Sequence, residues 1–281
     1  MDTELWRKAK SLIREKGLFQ GTITSMQRLM RLIWCTLNIP IQDNFLYTVP
    51  MGKWEKALDT QFDIFSKHEQ YPFYKIKDNK DISEVRSILL AEAQSFLDTY
   101  QKLGYPFRAL FKELVAKKAR VLQLAVGACP ELIQMTEELE LDYYVEDPLF
   151  PKILQSVDLR KVFSKDIKGF CALTAEDMWP EYPEFFDAIV CHNVLNHTHA
   201  PKKVIDSMFR MLKPGGLIFD FTMRQGTGDS HPGMIGQSAL LRGYTSRGFA
   251  VIYSAVFKHL DYPSFPQKHR YYTAVRKKFS G

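Results

Sequence analysis

Three groups of residues in this chain have types and spacings that could do chemistry. The first is "VLQLAVGACPE", residues 121–131: an apolar run, a tight turn around Gly127, then Pro130 and Glu131 opening a helix. Proline suits a first helical position, where its missing N–H would lack a partner anyway. A strand–turn–helix of this outline aims backbone N–H groups at a nucleotide-like ligand. The second is Asp147, which follows Gly127 by 20 residues. That is about the separation between a glycine loop and the ribose-binding acid of a dinucleotide fold. An acid at the end of a strand can accept hydrogen bonds from both ribose hydroxyls, whereas Glu146, one residue earlier, is expected on the other side of the pleat. The third is "CHNVLNHTH", residues 191–199, with His192, His197 and His199, followed later by His231. Imidazole titrates near pH 6.5 when unperturbed, about where a general base works best. A histidine held in structural hydrogen bonds is the commoner use of the residue.

Such groups need a scaffold, and the hydrophobic period changes along the chain. Residues 1–118 read as helical. "TELWRKAKSLIREKG", "TSMQRLMRLIWCTLN", "WEKALDTQFDIFSKH" and "DISEVRSILLAEAQSFLDTYQKL" carry apolar residues at helical spacing, the last opening on Asp81 or Ser83 as cap. "EQYPFYKIKDNK" between them reads as a loop. From residue 119 the runs are short and apolar or alternating: "RVLQLAV", "LDYYVED", "GFCALT", "FDAIVCHN", "GLIFDFT", "FAVIYSAVF" and "RYYTAVRK". Most of the early runs are separated by helix-like segments, which predicts an α/β fold with a mostly parallel sheet covered on both faces. The last two have little helix between them and predict an antiparallel edge. The expected organisation is a helical cap over 1–118 and a Rossmann-like domain over 119–281.

Composition excludes several classes. An apolar content of 46% supports an ordinary core. No run approaches the roughly 20 apolar residues that span a bilayer, and the charged N-terminus is no signal peptide. A basic membrane-surface helix around Arg31 and Trp34 is a minor alternative to a packed cap. Cys35, Cys129, Cys171 and Cys191 have no CxxC spacing, so reduced thiols in a cytoplasmic protein are expected, with no metal site. The net charge of +6 sits mainly in residues 1–118, which hold 19 Lys/Arg against 14 Asp/Glu. That excess suits an anionic small molecule and is too dilute for nucleic acid.

In order along the second region stand "AED" at 175–177, "FD" at 186–187, "NVLNH" at 193–197, "LKPGG" at 212–216, "HPG" at 231–233 and "RGF" at 247–249. The chain resembles the class I S-adenosylmethionine-dependent methyltransferases, in particular the methyltransferase type 11-like group, over roughly 119–280. The resemblance implies a seven-stranded, mostly parallel sheet and S-adenosyl-L-methionine as cofactor. It implies cofactor contacts from Gln123, Ala125 and Gly127 in the first loop. Asp147 and Pro148 follow the second strand, and Glu176, Asp177 and Met178 stand at the adenine. Asn193, Val194 and Leu195 are placed beneath the methionine part. Family members carry an acid where this chain has Gln123, and glycines where it has Ala125 and Cys129. The implied reaction is methyl transfer to an O or N nucleophile of a small-molecule acceptor, with His197 as first candidate base and Asp187 structural. Aromatics of the cap, Trp54, Tyr71, Phe73 and Tyr74, are expected to close over the acceptor. A homodimer is compatible with this picture. The altered loop leaves room for aminocarboxypropyl transfer or cyclisation of the cofactor, and for a non-catalytic cofactor-binding module. RNA methylation is disfavoured by the near-neutral second half and the lack of an NPPY-type motif.

Overall fold

The computed structural model describes residues 49–69, 71–79, 81–223, 235–258 and 269–279. The two helices expected within residues 1–48, together with Cys35 and His231, lie outside the described residues.

Among the described residues, four helices precede the sheet: α1 (Met51–Lys67), α2 (Pro72–Ile76), α3 (Ile82–Lys102) and α4 (Phe107–Leu114). Helix α3 starts where Asp81 accepts hydrogen bonds from the N–H groups of Ser83 and Glu84, at 2.8 and 3.2 Å. It buries Val85, Leu89, Ala93, Leu97 and Tyr100, one helical stripe. Helix α2 falls inside the segment read as a loop. Pro72 sits in its first turn, and Phe73 and Ile76, three residues apart, are buried. Five residues are too few for a hydrophobic period to show in sequence.

The remaining elements are β1 (Arg120–Leu124), α5 (Ile133–Leu139), β2 (Asp142–Glu146), α6 (Phe150–Ser156), α7 (Leu159–Val162), β3 (Ile167–Cys171), β4 (Phe186–His192), α8 (Pro201–Met211), β5 (Leu212–Met223), α9 (Gln237–Thr245), β6 (Phe249–Lys258) and β7 (His269–Lys277). All seven apolar runs became strands. They form one sheet in the order β3-β2-β1-β4-β5-β7-β6. The first five are parallel, and β7 runs antiparallel to both β5 and β6. Alternate residues of each strand enter two cores. Val121, Tyr143, Val145, Ala188, Val190 and Phe219 pack against the α3, α4 and α5 side. Leu122, Leu124, Ile189, Cys191 and Ile218 pack against α8 and α9. With both faces covered, the central strands β1 and β4 carry few polar residues, which is why they read as nearly continuous apolar runs, whereas β6 leaves Val251, Ile252 and Val256 exposed.

"LKPGG" lies within β5, where the pairing with β4 shifts register between Phe186 and Ala188. Gly215 has φ +81°, and a Cβ on Gly216 would stand 2.9 Å from the Lys213 carbonyl oxygen. Asp187 accepts from the Arg120 N–H at 2.8 Å and from Lys213 Nζ at 2.6 Å, tying β1, β4 and the turn together.

Asp220 is wholly buried on β5, where Thr222 Oγ1 and the Tyr244 hydroxyl donate to it at 2.7 and 2.8 Å. Burial pushes its carboxyl from 3.8 up to about 7, against the pull of those two bonds. A folded value above the unfolded one means stability that is fully present below the unfolded value and is lost as pH rises through about 7. Asp220→Asn should therefore lose less Tm than the parent between pH 5 and pH 8. Parallel Tm profiles for the two proteins would contradict this.

Candidate active site

The strand order reverses between β1 and β4, the place where open α/β sheets bind ligands beyond their carboxyl ends. A cavity of about 510 Å³ lies there. Its floor is made by the residues after β1 (Ala125–Cys129) and β2 (Glu146–Leu149) and around the end of β4 (His192–Val194), with Phe221 of β5. Helices α1, α2 and α3 and the residue before α2 supply much of the remaining wall, through Trp54, Phe65, Tyr71, Phe73, Phe96 and Tyr100.

The loop after β1 is a left-handed bend, with φ +49° at Ala125 and +57° at Gly127. Two acids brace it. The Ala125 N–H donates to Glu146 Oε2 at 3.1 Å, and the Gly127 N–H donates to Asp147 Oδ2 at 2.6 Å. Asp147 Oδ1 accepts from the Leu149 N–H at 2.7 Å. Both acids line the cavity. Strand pairing ends at Glu146, so the alternation expected to turn Glu146 away does not carry through to Asp147. A non-glycine residue in the left-handed region costs roughly 1–2 kcal/mol. Ala125→Gly should therefore raise unfolding stability by about 1 kcal/mol, less the chain entropy that glycine adds. A loss in urea midpoint would show that the Ala125 methyl is needed for packing.

Burial, reinforced by the Asp147 charge, raises the Glu146 carboxyl well above its usual range. Burial likewise lifts Asp147 to about 6, opposed by the Leu149 and Gly127 N–H groups. Glu176 Oε1 caps the next loop, accepting from the His199 and Ala200 N–H groups at 2.8 and 2.9 Å. Three buried oxygen acceptors of the cavity wall are without partners: Glu146 Oε1, Glu176 Oε2 and Asn193 Oδ1. Buried polar atoms are normally hydrogen-bonded, so these three mark where a ligand rich in donors would fit.

Beyond β4 the chain turns at Asn193, φ +57°, whose N–H donates to the Phe221 carbonyl at 2.5 Å. Asn193 Nδ2 lies 3.1 Å from His197 Nε2. An amide NH2 can only donate, so that nitrogen of His197 accepts. Helix α1 and the residues before it are fastened here. Trp54 Nε1 donates to the His197 carbonyl at 3.0 Å, and the Val49 N–H donates to the His199 carbonyl at 2.6 Å.

Of the residues singled out in sequence, Ala125, Gly127, Asp147, Pro148, Glu176, Asn193, Val194 and His197 line the cavity. Gln123 does not. It is buried behind the loop, its amide oxygen accepting from the Tyr143 hydroxyl and the Leu132 N–H. Asp177 is exposed, while Met178 and Leu195 are buried in the core on the α8 side. Tyr74 is not in the wall either. The structure adds Glu131, Tyr100, Phe221 and Arg270. Glu131 was visible as the acid after Pro130. The others are brought in by tertiary packing from α3, β5 and β7. Arg270 lies with its guanidinium 5.5 Å from the Phe221 ring centre.

Residues 150–220 match the family model described as "Methyltransferase domain". A 53-residue stretch is 43% identical to the ubiquinone biosynthesis O-methyltransferase of Pseudomonas savastanoi pv. phaseolicola, covering 19% of this chain and 23% of that protein. Among solved structures, the [4+2]-cyclase SpnF superposes with a TM-score of 0.51 at 16% identity, over 61% of this chain and 80% of that one. The 1,6-didemethyltoxoflavin-N1-methyltransferase of Burkholderia thailandensis, solved with 1,6-didemethyltoxoflavin and S-adenosylhomocysteine, gives 0.50 at 14% identity, over 82% and 91%. Sheet order, the succession of motifs and the match at 150–220 make the chain similar to the class I S-adenosylmethionine-dependent methyltransferases.

Proposed function

We propose that this chain binds S-adenosylmethionine at the β1–β4 switch point and transfers its methyl group to an O or N nucleophile of a small molecule. The observation that carries the reading is the set of three unpartnered buried oxygen acceptors along the cavity. Ribose hydroxyls and an ammonium group are donors, and they are the polar groups this wall can satisfy. The ribose is assigned to Glu146 and Asp147. Both Asp147 oxygens already hold backbone N–H groups, so Glu146 Oε1 is the more open acceptor. The adenine end is assigned to Ala175, Glu176 and the backbone leading to Asp177 and Met178. The amino-acid end is assigned to Gly127, Asn193 and Val194. Gln123 acts one layer back, as a brace for the loop.

The cofactor supplies a methyl group already activated on a sulfonium. The protein's part is to align nucleophile and methyl and to exclude water. The acceptor is assigned to the side of the cavity bounded by Tyr100, Phe221 and Arg270. A cation beside aromatic faces suits a planar or anionic molecule. No helix among the described residues is long and apolar enough to cross a membrane.

The test is incubation of the full chain with S-adenosylmethionine carrying an isotope-labelled methyl and a small-molecule extract, followed by mass analysis. Transfer is expected as a gain of one CH2 on an acceptor with release of S-adenosylhomocysteine. Release of methylthioadenosine would replace this reading with aminocarboxypropyl transfer. Absence of cofactor binding would replace it with a non-catalytic module.

A further inference from the structure

We infer that His192, held by Glu131 and Tyr100, is the proton acceptor of this site and takes the nucleophile's proton on Nε2. The inference rests on the transfer reaction proposed above. His192 ends β4 and belongs to the cavity wall. Its Nδ1 lies 2.8 Å from Glu131 Oε2, and Glu131 Oε1 accepts from the Tyr100 hydroxyl at 2.9 Å. Burial, with the Glu131 charge adding to it, raises the Tyr100 phenol well above its ordinary value, so it stays a donor. A carboxylate can only accept. Nδ1 must therefore carry the proton, which leaves the lone pair on Nε2. That nitrogen is buried and has no partner. His197 is placed differently, because its Nε2 already accepts from the Asn193 amide.

The surroundings fit a base. Aromatic rings enclose the imidazole, with Phe107 and Tyr100 centred 4.6 and 4.9 Å away and Phe221 at 6.3 Å. The titratable groups facing it are Glu131 of the turn before α5, Tyr100 of α3 and Tyr105 before α4. Tyr272 and Arg270 of β7 lie behind Phe221. Glu131 is the carboxylate in direct contact, and it stabilises an imidazolium once formed. In the step itself the acceptor's O–H or N–H bond breaks, and its proton moves to Nε2. The freed lone pair bonds to the methyl carbon, and the carbon–sulfur bond breaks with its pair on sulfur. The imidazolium later returns its proton to solvent.

The test is long-range nitrogen–proton NMR on the full chain labelled with 15N-histidine. The His192 signals are identified by their loss in His192→Gln. Should that variant not fold, Tyr100→Phe, which removes only the hydroxyl, marks the same ring by its shift. The expected result is a ring protonated on Nδ1, with Nε2 bare. Glu131→Gln should mix the two tautomers. A ring protonated on Nε2 in the parent, or a tautomer unchanged in Glu131→Gln, would overturn the inference. S-adenosylhomocysteine added to the same sample separates the two levels. Failure to bind would sink the proposed reaction, whereas the tautomer speaks for the dyad alone.

Discussion

Asp147→Ala should weaken S-adenosylhomocysteine binding by at least about 30-fold and lower unfolding stability by about 2 kcal/mol. The side chain holds the Gly127 and Leu149 N–H groups together, closing the first loop onto the end of β2. Hydrogen bonds to a charged acceptor contribute about 1.5–3 kcal/mol each, and their loss strands two N–H groups. Part of this is offset, because the carboxylate is itself poorly solvated and sits at about 6. The free loop would then lose its left-handed bend, and with it the cradle for the ligand. Asp147→Asn keeps one acceptor oxygen and should fall between the two. Calorimetric titration and urea unfolding measure both effects. An alanine variant with parental affinity would remove Asp147 and its loop from the site.

Trp54→Ala should destabilise the protein by about 3 kcal/mol, the usual scale for truncating a buried Trp. Its indole is only 8% exposed, and its N–H bonds to the His197 carbonyl. The ring also packs 6.2 Å from His199. The indole is thus the pin between α1 and the turn that follows β4. Losing it should open the cap before the sheet unfolds, so limited proteolysis within 51–67 should precede loss of the sheet signal. Cleavage and global unfolding at one denaturant concentration would mean that cap and sheet are a single cooperative unit.

How much of this was legible in the sequence follows from the range of the interactions involved. Strands buried on both faces announce themselves as apolar runs, and all seven were readable. Helix α3 was equally plain, from Asp81 and its stripe of five buried residues. Helix α2 was not, because one turn has no period and its stability comes from Phe73 and Ile76 in the core. In the site, Gly127, Asp147 and the turn after β4 follow strand ends, so their positions are local and readable. Glu146 looked turned away only because the pleat was continued past the last paired residue. Gln123 looked like a ligand contact by its place in the motif, but Tyr143, on the neighbouring strand, holds its amide. Tyr100, Arg270 and the pairing of Glu131 with His192 needed the fold, since nothing in a linear motif brings α3, β4 and β7 together.

The central claim is that the cavity between β1 and β4 is an S-adenosylmethionine site built on its unpartnered acceptors. The most direct measurement is calorimetric titration of S-adenosylhomocysteine into the full chain and into Glu146→Gln, which replaces one carboxyl oxygen beneath the loop with an amide NH2 while keeping the size of the side chain. The account predicts one saturable site per chain, with affinity reduced by roughly 5- to 30-fold in Glu146→Gln, the scale of leaving a ligand donor without its acceptor. The absence of binding heat in the parent, or equal affinity in the two proteins, would contradict it.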